Sequence, residues 1–256
     1  MGAGLCGGCW SGLAGPRPPP HGAVERRWVW HGGLPMCCED VSEGGLPGYV
    51  GLVKQEELLM GHVALQLETW PEYRIGSTTW PSGRLLAHAL ASEAPGLPGI
   101  QGRHVAELGA GPGLPGLVCG RMGAASVALT DRAELVPLLR RNIELNGLAF
   151  TCRAEVLDWS RASESPLAAE NRGAAGPLDV LLAADVVYFE EQEPLLDALL
   201  ALMKPGHTKL VLAYRQRTQM DRYYLENRIL PQLDVQRLHY QSGENGACEV
   251  YVGQLL

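Results

Sequence analysis

The run Val105-Ala-Glu107-Leu-Gly109-Ala-Gly111-Pro-Gly113-Leu-Pro-Gly116 constrains this chain more than any other segment. Val105 and Ala106 read as apolar strand residues and Glu107 stands where that strand ends. Gly109, Gly111 and Gly113 then alternate through a turn, and Leu114, Leu117 and Val118 open a helical pattern. Glycine accepts positive φ and lets a ligand come against bare backbone. A helix that begins directly after such a turn aims its first, unbonded N–H groups at the same place. Strand, glycine turn and helix N-terminus in that order are the parts of a nucleotide-binding loop.

Two cofactor classes fit the loop. Gly111, Gly113 and Gly116 satisfy the dinucleotide pattern G-x-G-x-x-G, with Asp131 about 20 residues on, where an acid holds a ribose hydroxyl. Glu107-x-Gly109-x-Gly111-x-Gly113 also resembles the acid-plus-glycine motif of class I methyltransferases, which use S-adenosylmethionine (SAM). That family carries a second acid at the end of the next strand, and Asp131 after Ser126-Val-Ala-Leu-Thr130 supplies it. A buried strand and glycine turn that hold no ligand is the third reading.

Four further segments resemble one branch, the small seven-stranded protein methyltransferases that include lysine methyltransferases acting on chaperones, elongation factors and valosin-containing protein. Gly76-Ser-Thr-Thr-Trp80-Pro81-Ser82 resembles the G-x-x-x-W-[PD]-[AS] segment ahead of a helix, here read from Leu85 to Ser92. Leu157-Asp158-Trp159 resembles the L-x-W segment after the third strand. Ala184-Asp185-Val186-Val187-Tyr188 resembles the [DE]-x-x-Y signature after the fourth. Tyr214-Arg-Gln-Arg-Thr218 resembles the end of the fifth strand, in the version found in the valosin-containing protein methyltransferases.

Composition is compatible with this. A chain of 256 residues with 46% hydrophobic residues can bury a substantial α/β core. No apolar run reaches the about 18 residues of a membrane span. A formal charge of −7 argues against a nucleic-acid surface and favours a protein substrate. The seven cysteines form no disulfide framework. Cys6-x-x-Cys9 has only half the ligands of a zinc site, so no metal is expected. Cys119, Cys152 and Cys248 fall in apolar segments and read as buried thiols, which implies a reducing compartment, cytoplasm or nucleus. A monomer is expected.

Residues 1–48 are rich in Gly, Pro, Cys and Trp without periodicity and read as a flexible leader. Residues 49–100 read as an N-terminal β/α extension, with a strand at His62–Glu68, and 101–256 as the methyltransferase domain. Strands are expected at 103–107, 126–130, 151–157, 179–184 and 208–214, and helices at 114–122, 133–146, 192–203 and 219–229. This rhythm predicts a Rossmann-like, mostly parallel seven-stranded sheet with helices on both faces. Its last two strands, 233–240 and 247–254, are joined by Ser242-Gly-Glu-Asn-Gly246 and should form an antiparallel hairpin, a feature that counts against a dehydrogenase.

Ligands bind at the carboxyl ends of such strands, where Glu107, Asp131, Asp185 and Tyr214 are expected to converge. Asn142 and Asn146 read as surface or capping residues. The resemblance implies SAM as cofactor and no metal, with Gly109, Gly111 and Gly113 approaching its amino-acid moiety, Glu107 orienting it and Asp131 accepting the ribose hydroxyls. It places Trp159 beside adenine, Trp80 at the methionine end and Ala184 in the cofactor pocket; core packing is the other reading of each Trp. Asp185 and Tyr188 are then the candidate catalytic residues, facing a substrate lysine. A helix cap ahead of 192–203 fits Asp185 poorly, because Glu190 and Glu191 intervene. Histidine or arginine as acceptor, a SAM-binding module without turnover, and a NAD(P) oxidoreductase remain as alternatives.

Overall fold

The computed structural model describes residues 27–31, 34–38, 50–71, 73–173, 177–188, 192–241 and 247–256. Cys6, Cys9, Glu190, Glu191 and the 242–246 connection lie outside them. Three short strands come first, β1 (Arg27–His31), β2 (Leu34–Cys38) and β3 (Val50–Leu52), paired antiparallel in that order. Two of them fall within residues 1–48, where composition alone shows no element. Trp28-Val-Trp30 does carry β-type residues, but the surrounding Gly and Pro leave too short a window for periodicity to register.

A hairpin of β4 (Lys54–Met60) and β5 (Val63–Thr69) follows, of which only the second strand is legible in the sequence. Then come α1 (Pro81–Ala91), β6 (His104–Leu108), α2 (Leu114–Arg121), β7 (Ser126–Asp131), α3 (Val136–Leu145) and β8 (Cys152–Val156). A 3-10 turn at Trp159–Glu164 leads into α4 (Pro166–Arg172), whose start is capped by Ser165 accepting the N–H of Ala168. No helix was expected there. A parallel crossover nevertheless needs one to return the chain across the sheet. β9 (Val180–Ala184), α5 (Glu193–Leu202), β10 (Lys209–Tyr214), α6 (Gln219–Tyr224), β11 (Leu233–Gln241) and β12 (Ala247–Leu255) complete the chain. A π-helical turn at Leu225–Ile229 extends α6 over the rest of its expected length.

Seven strands form one mixed sheet in the order β11-β12-β10-β9-β6-β7-β8. The five from β8 to β10 are parallel, whereas β12 runs antiparallel to both β10 and β11. This is the Rossmann-like architecture with a terminal hairpin that the sequence pattern predicts. Strand residues alternate between two cores. Val105, Val127, Leu182 and Val211 pack with α1, α2 and α3, while Ala106, Ala128, Leu181 and Leu212 pack with α4, α5 and the segment after α6. Burial on both faces is why these strands read as continuous apolar runs rather than alternating ones. In α5, Leu195, Ala198, Leu199 and Leu202 recur at helical spacing and all are buried, each Leu stabilising the fold by about 1.5–3 kcal/mol.

Asn142 and Asn146 are buried rather than surface residues, and Asn146 is the C-terminal capping residue of α3. The Asn142 side chain accepts the Glu68 N–H at 2.7 Å and donates to the carbonyls of Glu68 and Pro112, each at 2.9 Å. Asn146 binds the N–H and C=O of Gln66 at 2.9 and 2.7 Å. Four residues apart, Asn142 on α3 and Asn146 at its C-terminal cap, the two amides satisfy the free edge of β5 as a neighbouring strand would. Asn142 thereby ties the hairpin to the glycine loop at Pro112.

Candidate active site

The strand order reverses between β6 and β9, and the crevice at their carboxyl ends is where such sheets bind ligands. A cavity of about 720 Å³ opens there, within the about 300–1,000 Å³ of small-molecule sites. Of the candidate cofactor residues, Trp80, Glu107, Gly109, Gly111, Asp131, Trp159 and Ala184 all line it, as do Asp185 and Tyr188.

Gly111 has φ +55°, and a Cβ there would stand 2.5 Å from the carbonyl oxygen of Gly76. The glycine loop and the segment leading to Trp80 therefore pack backbone to backbone. Gly113 stands apart from Gly109 and Gly111. With φ +89° it is the residue before α2, and a Cβ there would meet Leu139 and Leu129 at 3.0 and 3.1 Å, in the core. It shapes the turn and does not line the cavity.

Two acids, Glu107 and Asp131, line the cavity at the ends of β6 and β7. Glu107 is fully buried and its carboxylate accepts the Gly116 N–H at 2.8 Å, close to the N-terminus of α2. Burial pushes its pKa up to about 8, against the pull of that hydrogen bond and with some help from the negative Asp131. The N–H of the third glycine in the dinucleotide pattern thus serves Glu107. Asp131 accepts the N–H groups of Gly111 and Arg132, one per oxygen and both at 2.8 Å. Burial raises its pKa while those two bonds pull it back. Each oxygen keeps lone-pair capacity for a hydroxyl donor from the cavity.

Asp185 sits just past β9 with φ +58°, a strained position for a residue other than glycine. One carboxylate oxygen accepts the Ser82 N–H at 3.2 Å and the other the Arg217 guanidinium at 2.8 Å. Asp185 is therefore a cap, but of α1 rather than of the helix at 192–203. The positive end of α1 and the Arg217 cation both stabilise its negative charge. The Arg217 guanidinium carbon lies 5.4 Å from the Trp80 ring centre and 5.8 Å from that of Tyr188. Burial raises the Tyr188 pKa, so its hydroxyl is neutral at physiological pH.

Tyr214 is absent from the cavity. Its ring is buried in the core and its hydroxyl donates to Asp221 at 2.6 Å. The other Asp221 oxygen accepts the N–H groups of Arg217 and Thr218 at 3.0 and 2.9 Å, so Tyr214 acts on the site by fixing the backbone that carries Arg217.

A sequence profile of the family described as lysine methyltransferase matches residues 61–229, from the β4–β5 turn through the segment after α6. The chain belongs to that family. Among relatives of this lysine methyltransferase, protein-lysine N-methyltransferase EFM6 of Saccharomyces cerevisiae is 35% identical over 62% of this chain and 71% of its own. Protein N-lysine methyltransferase METTL21A of Danio rerio is 30% identical over 73% and 82%. The expectation of a SAM-dependent protein-lysine methyltransferase is borne out. Among solved structures, the Thermus thermophilus 16S rRNA methyltransferase RsmC, in complex with AdoMet and guanosine, aligns over 91% of this chain and 58% of its own with a TM-score of 0.55. At 18% identity that likeness concerns the fold alone. Among the described residues of the methyltransferase, no helix is long and apolar enough to cross a membrane.

Arg217 is the site residue that sequence reasoning did not single out. Its segment carries the resemblance, but nothing in local pattern says that its side chain turns back across the sheet to Asp185, 32 residues away. Cys119, Cys152 and Cys248 are buried thiols in no disulfide, and burial pushes Cys152 up to about 12, out of reach of thiolate chemistry.

Proposed function

We propose that this cavity holds SAM against β6 and β7 and receives a lysine side chain of a protein substrate at Asp185 and Tyr188. The observation that supports this is the convergence of two pairs on one cavity: Glu107 with Asp131, and Asp185 with Tyr188. The residues suit the cofactor. Asp131 has acceptor capacity for the ribose hydroxyls, Gly109 and Gly111 leave bare backbone for its amino-acid moiety, and Trp159 offers a ring for adenine. When bound, SAM supplies a methyl group on a positively charged sulfur.

The chain's own part is positioning. Asp185 recruits the lysine ammonium and Tyr188 orients it, while Trp80 lines the methionine end and helps exclude water. A lysine amine has an ordinary pKa of about 10.4 and must lose its proton to accept a methyl group. The apolar walls supplied by Trp80, Val186 and Leu195 favour the neutral amine. Holding it in line with the cofactor accounts for most of the rate.

We read residues 101–256 as the methyltransferase domain and 49–100 as its extension, which contributes Trp80 and the Ser82 N–H. The likeness of Tyr214–Thr218 to the valosin-containing protein methyltransferases makes that protein the first substrate to assay. Incubating the full chain with labelled SAM and a methyl-depleted lysate should label discrete proteins. SAM binding without labelling would instead support a non-catalytic module.

A further inference from the structure

We propose that Arg217 is a resident stand-in for the substrate lysine: it occupies Asp185 and the Trp80–Tyr188 slot until the incoming ammonium takes its place. This rests on the reading of Asp185 as the acid that meets the acceptor. The guanidinium bonds the Asp185 carboxylate at 2.8 Å and faces both aromatic rings at less than 6 Å. A carboxylate beside two aromatic faces is the environment that recognises an alkylammonium ion. Arg217 already fills it with a cation of its own.

Burial is unequal across the pair. The Asp185 side chain is 3% exposed, whereas that of Arg217 is 31% exposed. The Arg217 backbone is anchored by Asp221, but its long side chain reaches the slot from the solvent side and can leave it by rotation about its own bonds. A carboxylate as buried as Asp185 would be costly without a cation. Exchanging a guanidinium for a substrate ammonium keeps it paired while the substrate enters, before the amine gives up its proton. The exchange also selects the acceptor, since a neutral side chain that displaced Arg217 would leave Asp185 uncompensated.

The test uses the full chain carrying Arg217→Gln, with n-butylammonium chloride as the probe and sodium chloride at equal ionic strength as the control. The variant should melt roughly 2–4 °C below wild type, and n-butylammonium should restore that loss saturably, at lower concentration than it acts on wild type. The KM for a protein substrate should fall about threefold or more, because the internal competitor is gone. No amine effect beyond sodium chloride, or a fall in kcat with KM unchanged, would overturn the proposal. If Arg217→Gln does not fold, Arg217→Lys substitutes: it refills the slot with an amine and should respond to n-butylammonium no more than wild type. A stronger response than wild type would count against it. In Asp185→Asn/Arg217→Gln the amine effect should vanish, and its persistence would overturn the assignment of the slot. Loss of the effect in that double variant, with wild type itself labelling no lysine, would uphold the exchange while removing the methylation reading it rests on.

Discussion

Asp185 accepts the backbone N–H of Ser82, which lies 103 residues earlier in the chain. The acid of the Asp-x-x-Tyr segment is therefore also the cap of α1, because Trp80 at the capping position makes no side-chain bond to the helix. A substitution at Asp185 tests two roles, and the choice of replacement separates them.

Asparagine tolerates the left-handed backbone at 185 and can still accept the Ser82 N–H, whereas alanine does neither. Asp185→Asn keeps the cap and loses only the Arg217 ion pair, so it should melt about 2–4 °C below wild type and bind SAM within a few-fold of wild type, yet lose most turnover. Asp185→Ala should lose turnover as well and cost about 1–3 kcal/mol of stability, from the lost cap and the strained φ. Denaturant unfolding with calorimetric SAM titration distinguishes the two. Equal stability of the variants would show that the cap contributes nothing.

Glu107 makes unfolding pH-dependent. Its pKa rises from an ordinary 4.5 to about 8 on folding, so the folded state holds a proton that the unfolded state releases above 4.5. The stabilisation is present below pH 4.5 and disappears as pH rises through about 8. Glu107→Gln should remove this component, gaining on wild type between pH 5 and pH 8 by on the order of a few kcal/mol. Urea titrations of the SAM-free protein at both values check it. Parallel pH dependence in the two proteins would contradict the burial argument.

Asp131→Ala removes the acceptor assigned to the ribose hydroxyls and leaves the Gly111 and Arg132 N–H groups facing the cavity. SAM affinity should fall by about 1.5–3 kcal/mol, the range for hydrogen bonds to a charged group. Calorimetry decides, and unchanged affinity would move the cofactor away from β7.

Gly111→Ala places a methyl group 2.5 Å from the Gly76 carbonyl oxygen in a backbone region that L-residues enter at a cost of about 1–2 kcal/mol. The glycine loop and the Gly76–Trp80 segment must separate. SAM affinity should drop roughly tenfold or more, while global stability falls by a few kcal/mol at most. A variant that binds SAM as wild type does would mean that the segment yields freely.

What the sequence made legible were the local signals. Glu107 is followed closely by a glycine and Asp131 by a turn, and Asp185 closes an apolar run, so strand ends and the convergence of acids could be read from apolar runs and their punctuation. What stayed hidden depends on contacts between distant segments. Nothing near Asn142 or Asn146 says that the edge of β5 lies beside α3. A Tyr at a strand end looks the same whether it faces the cavity or, like Tyr214, turns into the core toward Asp221. The Gly113 pattern matched the motif correctly, but only the packing of Leu129 and Leu139 shows that this glycine serves the turn. Arg217 escaped notice because an arginine after a strand is ordinarily a solvated side chain.

The most direct measurement follows a labelled methyl group from SAM to the amino acid that receives it. After incubation of the full chain with labelled SAM and its protein substrate, acid hydrolysis should place the label in methyl-lysine for wild type and leave it at background for Asp185→Asn. Label in methylhistidine or methylarginine, or wild-type labelling by Asp185→Asn, would contradict the assignment of this cavity as a lysine methyltransferase site organised around Asp185.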